Sequence, residues 1–243
     1  MSSEKRSSTP PPARSEKTGG DVKDGMPEID KNGFAKMAPL FGAILIIPRA
    51  IGMAIAVAIY KYGQTAMYDK NMKSYMKGDK GYLYAAVVVF GLMVTWLNNY
   101  PMLYKNMVMR TGSGNLRANM MIYKAAESGK DAPYVILETE GAIGAYNRAN
   151  RSLTHFTENS LVVVVAMLLA GAVFPFPAFV CTCIFALGRI MHQIGYAAKG
   201  YGGHGLGFMV AMFAGVTLEM LCAVVAAKTL DVPMIGAMLK TEL

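Results

Sequence analysis

Apolar residues gather in five long runs, at about 37–60, 82–103, 146–174, 178–198 and 206–227, separated by polar stretches rich in Gly, Pro and Lys. Runs of this length exceed any ordinary strand and predict helices. Each approaches or exceeds the roughly 20 residues needed to cross the hydrocarbon core of a bilayer. The chain therefore reads as an all-α integral membrane protein that crosses the bilayer several times.

Two features qualify the pattern. Pro48-Arg49 interrupts the first run near its middle, which predicts a kink and requires Arg49 to face protein, paired with a carboxylate or carbonyl, or a substrate. Trp96, Tyr100 and Tyr104 cluster toward the end of the second run, as an aromatic belt at a membrane interface would. The third run opens with a polar segment, Tyr146 to Ser160, before turning almost wholly apolar. Pro175-Phe176-Pro177 then marks a sharp break.

The connecting segments are polar. Residues 61–80 form a basic linker, and 105–145 carry turn signals at Gly112-Ser113-Gly114 and Lys130-Asp131-Ala132-Pro133. Gly200-Tyr201-Gly202-Gly203-His204-Gly205 predicts a flexible hairpin or lid. No strand precedes it and no Gly-Lys-Ser/Thr follows, so it is not a phosphate-binding loop. The organisation expected is a disordered polar tail over 1–33 and an N-terminal transmembrane helix with basic linker over 34–81. A four-helix membrane domain over 82–230 and a C-terminal tail over 231–243 complete it.

Composition supports the membrane reading. The chain is 53% hydrophobic and 16% charged, with mean hydropathy +0.31, too apolar for an ordinary soluble domain. The net charge of +8 lies mostly in tail and linkers, where it addresses lipid headgroups and sets topology. Its distribution favours a cytoplasmic N-terminus. No basic helix interleaved with aromatics supports a nucleic-acid partner. Acidic residues scattered through the tail argue against a transit peptide, and no apolar core lies near the start as in a secretory signal. Cys181, Cys183 and Cys222 suit buried thiols rather than a disulfide or metal pair.

Candidate chemistry sits on two helical faces. At about 100° per residue, Asn147, Arg151, His155 and Glu158 share one stripe, while Arg189, His192 and Tyr196 share another. Ionisable side chains in a membrane turn toward a bundle interior or a ligand. The stripes therefore predict either an interhelical ion-pair network or a binding site.

These motifs, in order, resemble the MAPEG family, the membrane-associated proteins in eicosanoid and glutathione metabolism, with most likeness to its microsomal glutathione transferase 3 branch. The resemblance covers about 82–227 and rests on Arg151-x3-His155-x2-Glu158, a Pro-containing hairpin, Arg189-x2-His192-x2-Gly195-Tyr196 and a final apolar helix. It implies a four-helix bundle, here with one extra N-terminal transmembrane helix, assembled as a homotrimer with glutathione between subunits. It implies a glutathione-dependent transferase or peroxidase acting on hydrophobic or lipid electrophiles. Arg189 and Tyr196 would be catalytic, and Asn147, Arg151, His155, Glu158, Arg189, His192 and Tyr196 would contact glutathione.

The pattern departs from the family at three positions. His155 stands where Asn is usual and His192 where Tyr is usual. The cation that stabilises the thiolate falls on Gly203, leaving Lys199, His204 or Arg189 as substitutes. The alternative is a non-catalytic lipid-binding relative or a subunit of a larger membrane complex. Ligation of haem or a metal by His155 and His192 is a third reading, and no metal is expected because each His has a simpler hydrogen-bonding role. The endoplasmic reticulum is the family's usual location, with mitochondrial or plastid membranes as alternatives.

Overall fold

The computed structural model describes residues 30, 32–76, 78–108, 120–126 and 134–230. Apart from Asp30, Asn32 and Gly33, the last of which begins the first helix, the two tails lie outside these residues, as do both turn signals of the 105–145 linker. Helices α1 (Gly33–Tyr62), α2 (Thr65–Tyr75), α3 (Gly81–Asn99) and α4 (Pro101–Val108) come first. Strands β1 (Tyr123–Ala126) and β2 (Tyr134–Leu137) pair antiparallel, and α5 (Gly141–Val173), α6 (Pro175–Lys199) and α7 (Gly205–Thr229) follow. Among the described residues, five helical stretches are long and apolar enough to cross a membrane, with α3 and α4 together forming one of them. The protein is an all-α membrane bundle of four such stretches with one more at its N-terminus.

The core lies where α6 packs along α3, α5 and α7. Met93, Leu97, Phe156, Met167, Phe185 and Leu218 fill it. Gln193, fully buried, donates from Nε2 to the carbonyls of Leu97 at 2.9 Å and Ala149 at 3.3 Å, tying three helices together. In a bilayer, such interhelical hydrogen bonds and close packing replace the hydrophobic drive available in water.

The α6–α7 seam is built of small residues. A Cβ on Gly188 would lie 2.5 Å from the backbone nitrogen of Ala211, and one on Gly207 would collide with the backbone of His192. The turn between the helices is equally tight, since a Cβ on Gly195 would collide with the carbonyl of Gly203. Without side chains at these positions, the two backbones approach to contact.

Helix α1 runs unbroken through Pro48, and its buried residues, Gly33 and Phe41, lie in its first half. Phe34 and Phe41 meet Tyr104 and Trp96 edge-on, with ring centroids 5.3 and 4.9 Å apart. The aromatic ladder of the second run thus anchors a neighbouring helix. Arg49 faces protein, as its position requires, and donates to the carbonyls of Leu45 at 2.9 Å and Gly91 at 3.1 Å and to Thr95 Oγ1 at 2.6 Å.

Three local elements depart from the sequence reading. The second run breaks at Tyr100, because Pro101 has no N–H to extend the ladder and starts α4 instead. The basic linker folds into α2, whose Tyr68, Met72 and Tyr75 share one face opposite Lys70 and Lys73. The polar linker before α5 forms the β1–β2 hairpin, with Tyr123 opposite Leu137 and Ala126 opposite Tyr134.

Candidate functional site

The two polar stripes meet. Arg189 reaches from α6 to α5, where its Nη2 donates to the carbonyl of Ser152 at 2.9 Å and its Nη1 to Nδ1 of His155 at 3.2 Å. A guanidinium can only donate, so Nδ1 of His155 is the acceptor and its proton sits on Nε2. The Arg189 guanidinium carbon also lies 5.7 Å from the ring centroid of Phe156. Arg189 is 4% exposed, its Nε has no partner, and no carboxylate pairs with it among the described residues.

All three histidines of the chain gather beside it. The rings of His155 and His192 stack at 5.8 Å and 18°, and His204 meets His192 edge-on at 5.2 Å. His192 Nδ1 shares a 2.7 Å hydrogen bond with Ser152 Oγ, both groups buried. Tyr196 lies 6.0 Å from His192 and 5.1 Å from His204, centroid to centroid. His204 Nδ1 is buried without a partner. Among the described residues, no group of three His, Cys, Asp or Glu is arranged to hold a metal.

The tight α6–α7 turn brings His204 into this cluster. The same turn leaves no room at Gly203, where a Cβ would lie 2.6 Å from both the Gly195 carbonyl oxygen and Lys199 Cβ. No side chain can project from that position into the site without moving the hairpin.

The outer part of the first stripe behaves differently. Arg151 and Glu158 sit at the rim, each half-exposed, and pair with each other at 3.1 Å. Asn147, 1% exposed, points to the hairpin and not into the cluster. Its Oδ1 accepts from the N–H of Ile122 at 2.9 Å, and its Nδ2 donates to the carbonyls of Ile122 at 2.7 Å and Glu138 at 2.8 Å. The structure therefore brings Arg189, His155, His192 and Tyr196 together, holds Arg151 and Glu158 at the edge, and turns Asn147 away.

Ser152 and Arg148 join the neighbourhood without a clear sequence signal. Arg148 donates to the carbonyls of Tyr196 at 2.9 Å, Ala197 at 2.9 Å and Thr139 at 2.7 Å, closing the C-terminus of α6 onto the linker. Freed carbonyls at a helix end attract cations. Beside it, the N–H of Glu140 donates to Glu138 Oε1 at 2.9 Å, and Lys124 pairs with the same oxygen at 3.0 Å. Chiefly the first contact, aided by the second, holds the Glu138 carboxyl below its ordinary range.

Three cavities open on these residues. One of about 250 Å³ is lined by Arg151, His155, His192, Tyr196 and His204, and one of about 260 Å³ lies under the hairpin beside Arg148 and Tyr201. The third, about 340 Å³, runs between α5, α6 and α7 and begins at Arg189 and His155. A polar site and an apolar crevice therefore share one wall.

The model of the MAPEG family matches residues 82–224, more than half of the chain. No curated protein and no solved structure matches it.

Proposed function

This chain belongs to the MAPEG family, and on that premise we propose that it is a glutathione-dependent transferase or peroxidase acting on hydrophobic or lipid electrophiles in the membrane. The family includes glutathione transferases and peroxidases and other proteins of lipid metabolism, and its members typically use glutathione and are generally oligomeric. The observation that carries the reading is Arg189, a buried cation whose hydrogen-bond partners are both neutral. An unpaired charge buried beside hydrocarbon is unfavourable, and an incoming anion relieves it.

Glutathione offers two carboxylates, an amine and a thiol, and the site holds groups suited to each. Arg189 and Tyr196 serve the sulfur, while Arg151, Glu158, His155 and His192 hold the peptide at the rim and walls. The thiol proton passes to a neighbouring imidazole, with His204, next to Gly203 in the chain and beside Tyr196, standing in for the cation absent there. Arg189 favours the resulting thiolate. In transfer, the sulfur attacks an electrophilic carbon, a C–S bond forms and the leaving group departs. In peroxide reduction it attacks the distal oxygen, the O–O bond breaks, the alkoxide takes the imidazolium proton and leaves as the alcohol, and a second glutathione converts the sulfenic acid to disulfide with release of water. The assembly is a homotrimer with glutathione between subunits, and the endoplasmic reticulum is its membrane.

The test is ultraviolet thiolate absorbance on adding glutathione to the protein in detergent, followed by turnover with a chloronitrobenzene and a lipid hydroperoxide. Arg189→Gln should abolish the thiolate signal and Arg189→Lys should keep part of it. No signal in the native protein at millimolar glutathione sinks the reading.

Two observations favour a second reading, a non-catalytic lipid-binding relative or assembly subunit. Gly203 has no room for a side chain, and Arg151 already has its carboxylate in Glu158. Glutathione binding without turnover would select it.

A further inference from the structure

Glu219 stands alone in the middle of α7. It is half-buried, and no hydrogen bond or ion pair engages it among the described residues. An ionisable side chain at this depth in a membrane helix implies a partner. Glu219 lines the far end of the 340 Å³ cavity whose near end is Arg189.

The walls between these two ends are apolar, with Phe156, Val163, Phe185, Phe208 and Met212 among them. Gly215 leaves the middle open, since a Cβ there would make only ordinary contacts, 3.6 Å from Phe185 and Val163. The close approach of Gly188 to Ala211 puts Arg189 level with Ala211. Glu219 lies eight residues further along α7, about 12 Å at ~1.5 Å per residue. The cavity is thus an apolar slot with a cation at one end, carrying an unsatisfied Nε, and an unpartnered carboxyl at the other.

We propose that this slot binds a hydrophobic molecule bearing a protonated amine, with Glu219 as the partner of the amine and the electronegative end of the molecule directed to Arg189 and His155. Opposite charges at the two ends fix the orientation. A ligand reversed in the slot would bring its ammonium against Arg189 and leave Glu219 unpaired. That such a molecule is also the electrophile rests on the glutathione reading above; its binding does not.

The experiment uses the full chain in phosphatidylcholine nanodiscs, with empty nanodiscs as background. Two fluorescent probes share a neutral fluorophore and an alkyl chain that sets the terminus about 12 Å away, one ending in a primary amine and the other in a methyl group. The native protein should bind the amine probe about tenfold more tightly, the scale of a charge-assisted hydrogen bond. Glu219→Gln should reduce that ratio to near one, and Gly215→Leu, which fills the slot, should remove binding of both probes. Equal binding of the two probes to native protein, or an unchanged ratio in Glu219→Gln, overturns the proposal. So does a change of oligomer size in Glu219→Gln, which would make Glu219 a contact between subunits.

With glutathione present, a chloronitrobenzene carrying an alkylamine should show a lower KM than its neutral analogue, and Glu219→Gln should erase the difference. Absence of all turnover refutes the enzyme reading while the probe ratio still decides the slot.

Discussion

Replacing Asn147 distinguishes a strut from a ligand contact. Its amide accepts one hydrogen bond and donates two, at 2.9, 2.7 and 2.8 Å, so it satisfies both backbone groups of Ile122 and the carbonyl of Glu138. Neutral hydrogen bonds contribute about 1 kcal/mol each, and a group stranded in a dry site costs about 1–3 kcal/mol. Asn147→Ala strands the Ile122 N–H and the Glu138 carbonyl, while the Ile122 carbonyl keeps the Glu138 N–H at 3.1 Å; the hairpin can also lift and let water reach the stranded pair. The loss is then limited to the docking of the hairpin, about 2–4 kcal/mol from these three bonds.

Hydrogen exchange at the Ile122 amide reads this directly. Protection should fall by roughly 30- to 1,000-fold at about 1.4 kcal/mol per decade, while amides of the α3–α7 core keep theirs. Asn147→Asp should do more damage, because its carboxylate faces two carbonyl oxygens and can donate to neither. Full protection of Ile122 in both variants would refute the strut and return Asn147 to the ligand-binding stripe.

Three further outcomes follow from local geometry. Gly207→Ala drives a methyl into the backbone of His192, with His192 Cα at 2.7 Å and the Gly188 carbonyl at 2.8 Å. It should cost about 1–3 kcal/mol or more as overpacking, read as a lower unfolding temperature in detergent. Gly215→Ala, with its contacts at 3.6 Å, should be nearly neutral by the same measure; equal effects of the two would disprove the seam. Arg49→Ala removes bonds to Gly91 and Thr95 and should loosen α1 from α3, seen as slower disulfide formation between cysteines placed on the two helices. Glu138 has a carboxyl held below its ordinary value of 4.5. It therefore stabilises the hairpin fully above that value, and the contribution is lost as pH falls through the depressed folded one. Hairpin proteolysis should accelerate in that acid window, and Glu138→Gln should flatten the profile.

The spanning helices were legible because length and apolarity decide what can cross a bilayer, and neither depends on neighbours. Legible too were the two polar stripes, since helical spacing alone puts Arg189, His192 and Tyr196 on one face. What spacing cannot say is which way a side chain at the edge of a stripe turns. Asn147 lies in line with Arg151 and His155, yet the hairpin offers it three backbone groups and captures it. Arg148 escaped notice for the same reason, as its partners are carbonyls, which every residue carries.

Sequence by itself determined a membrane-spanning helical chain with cations and imidazoles hidden from lipid, because burial of charge in hydrocarbon has few solutions. Only the tertiary structure decided that the three histidines converge, that Gly203 is closed to any side chain, and that Glu219 shares a cavity with Arg189. Those outcomes depend on how closely α6 and α7 approach, and that distance is set by which small residues face each other across the seam. A one-dimensional pattern contains the small residues but not their pairing.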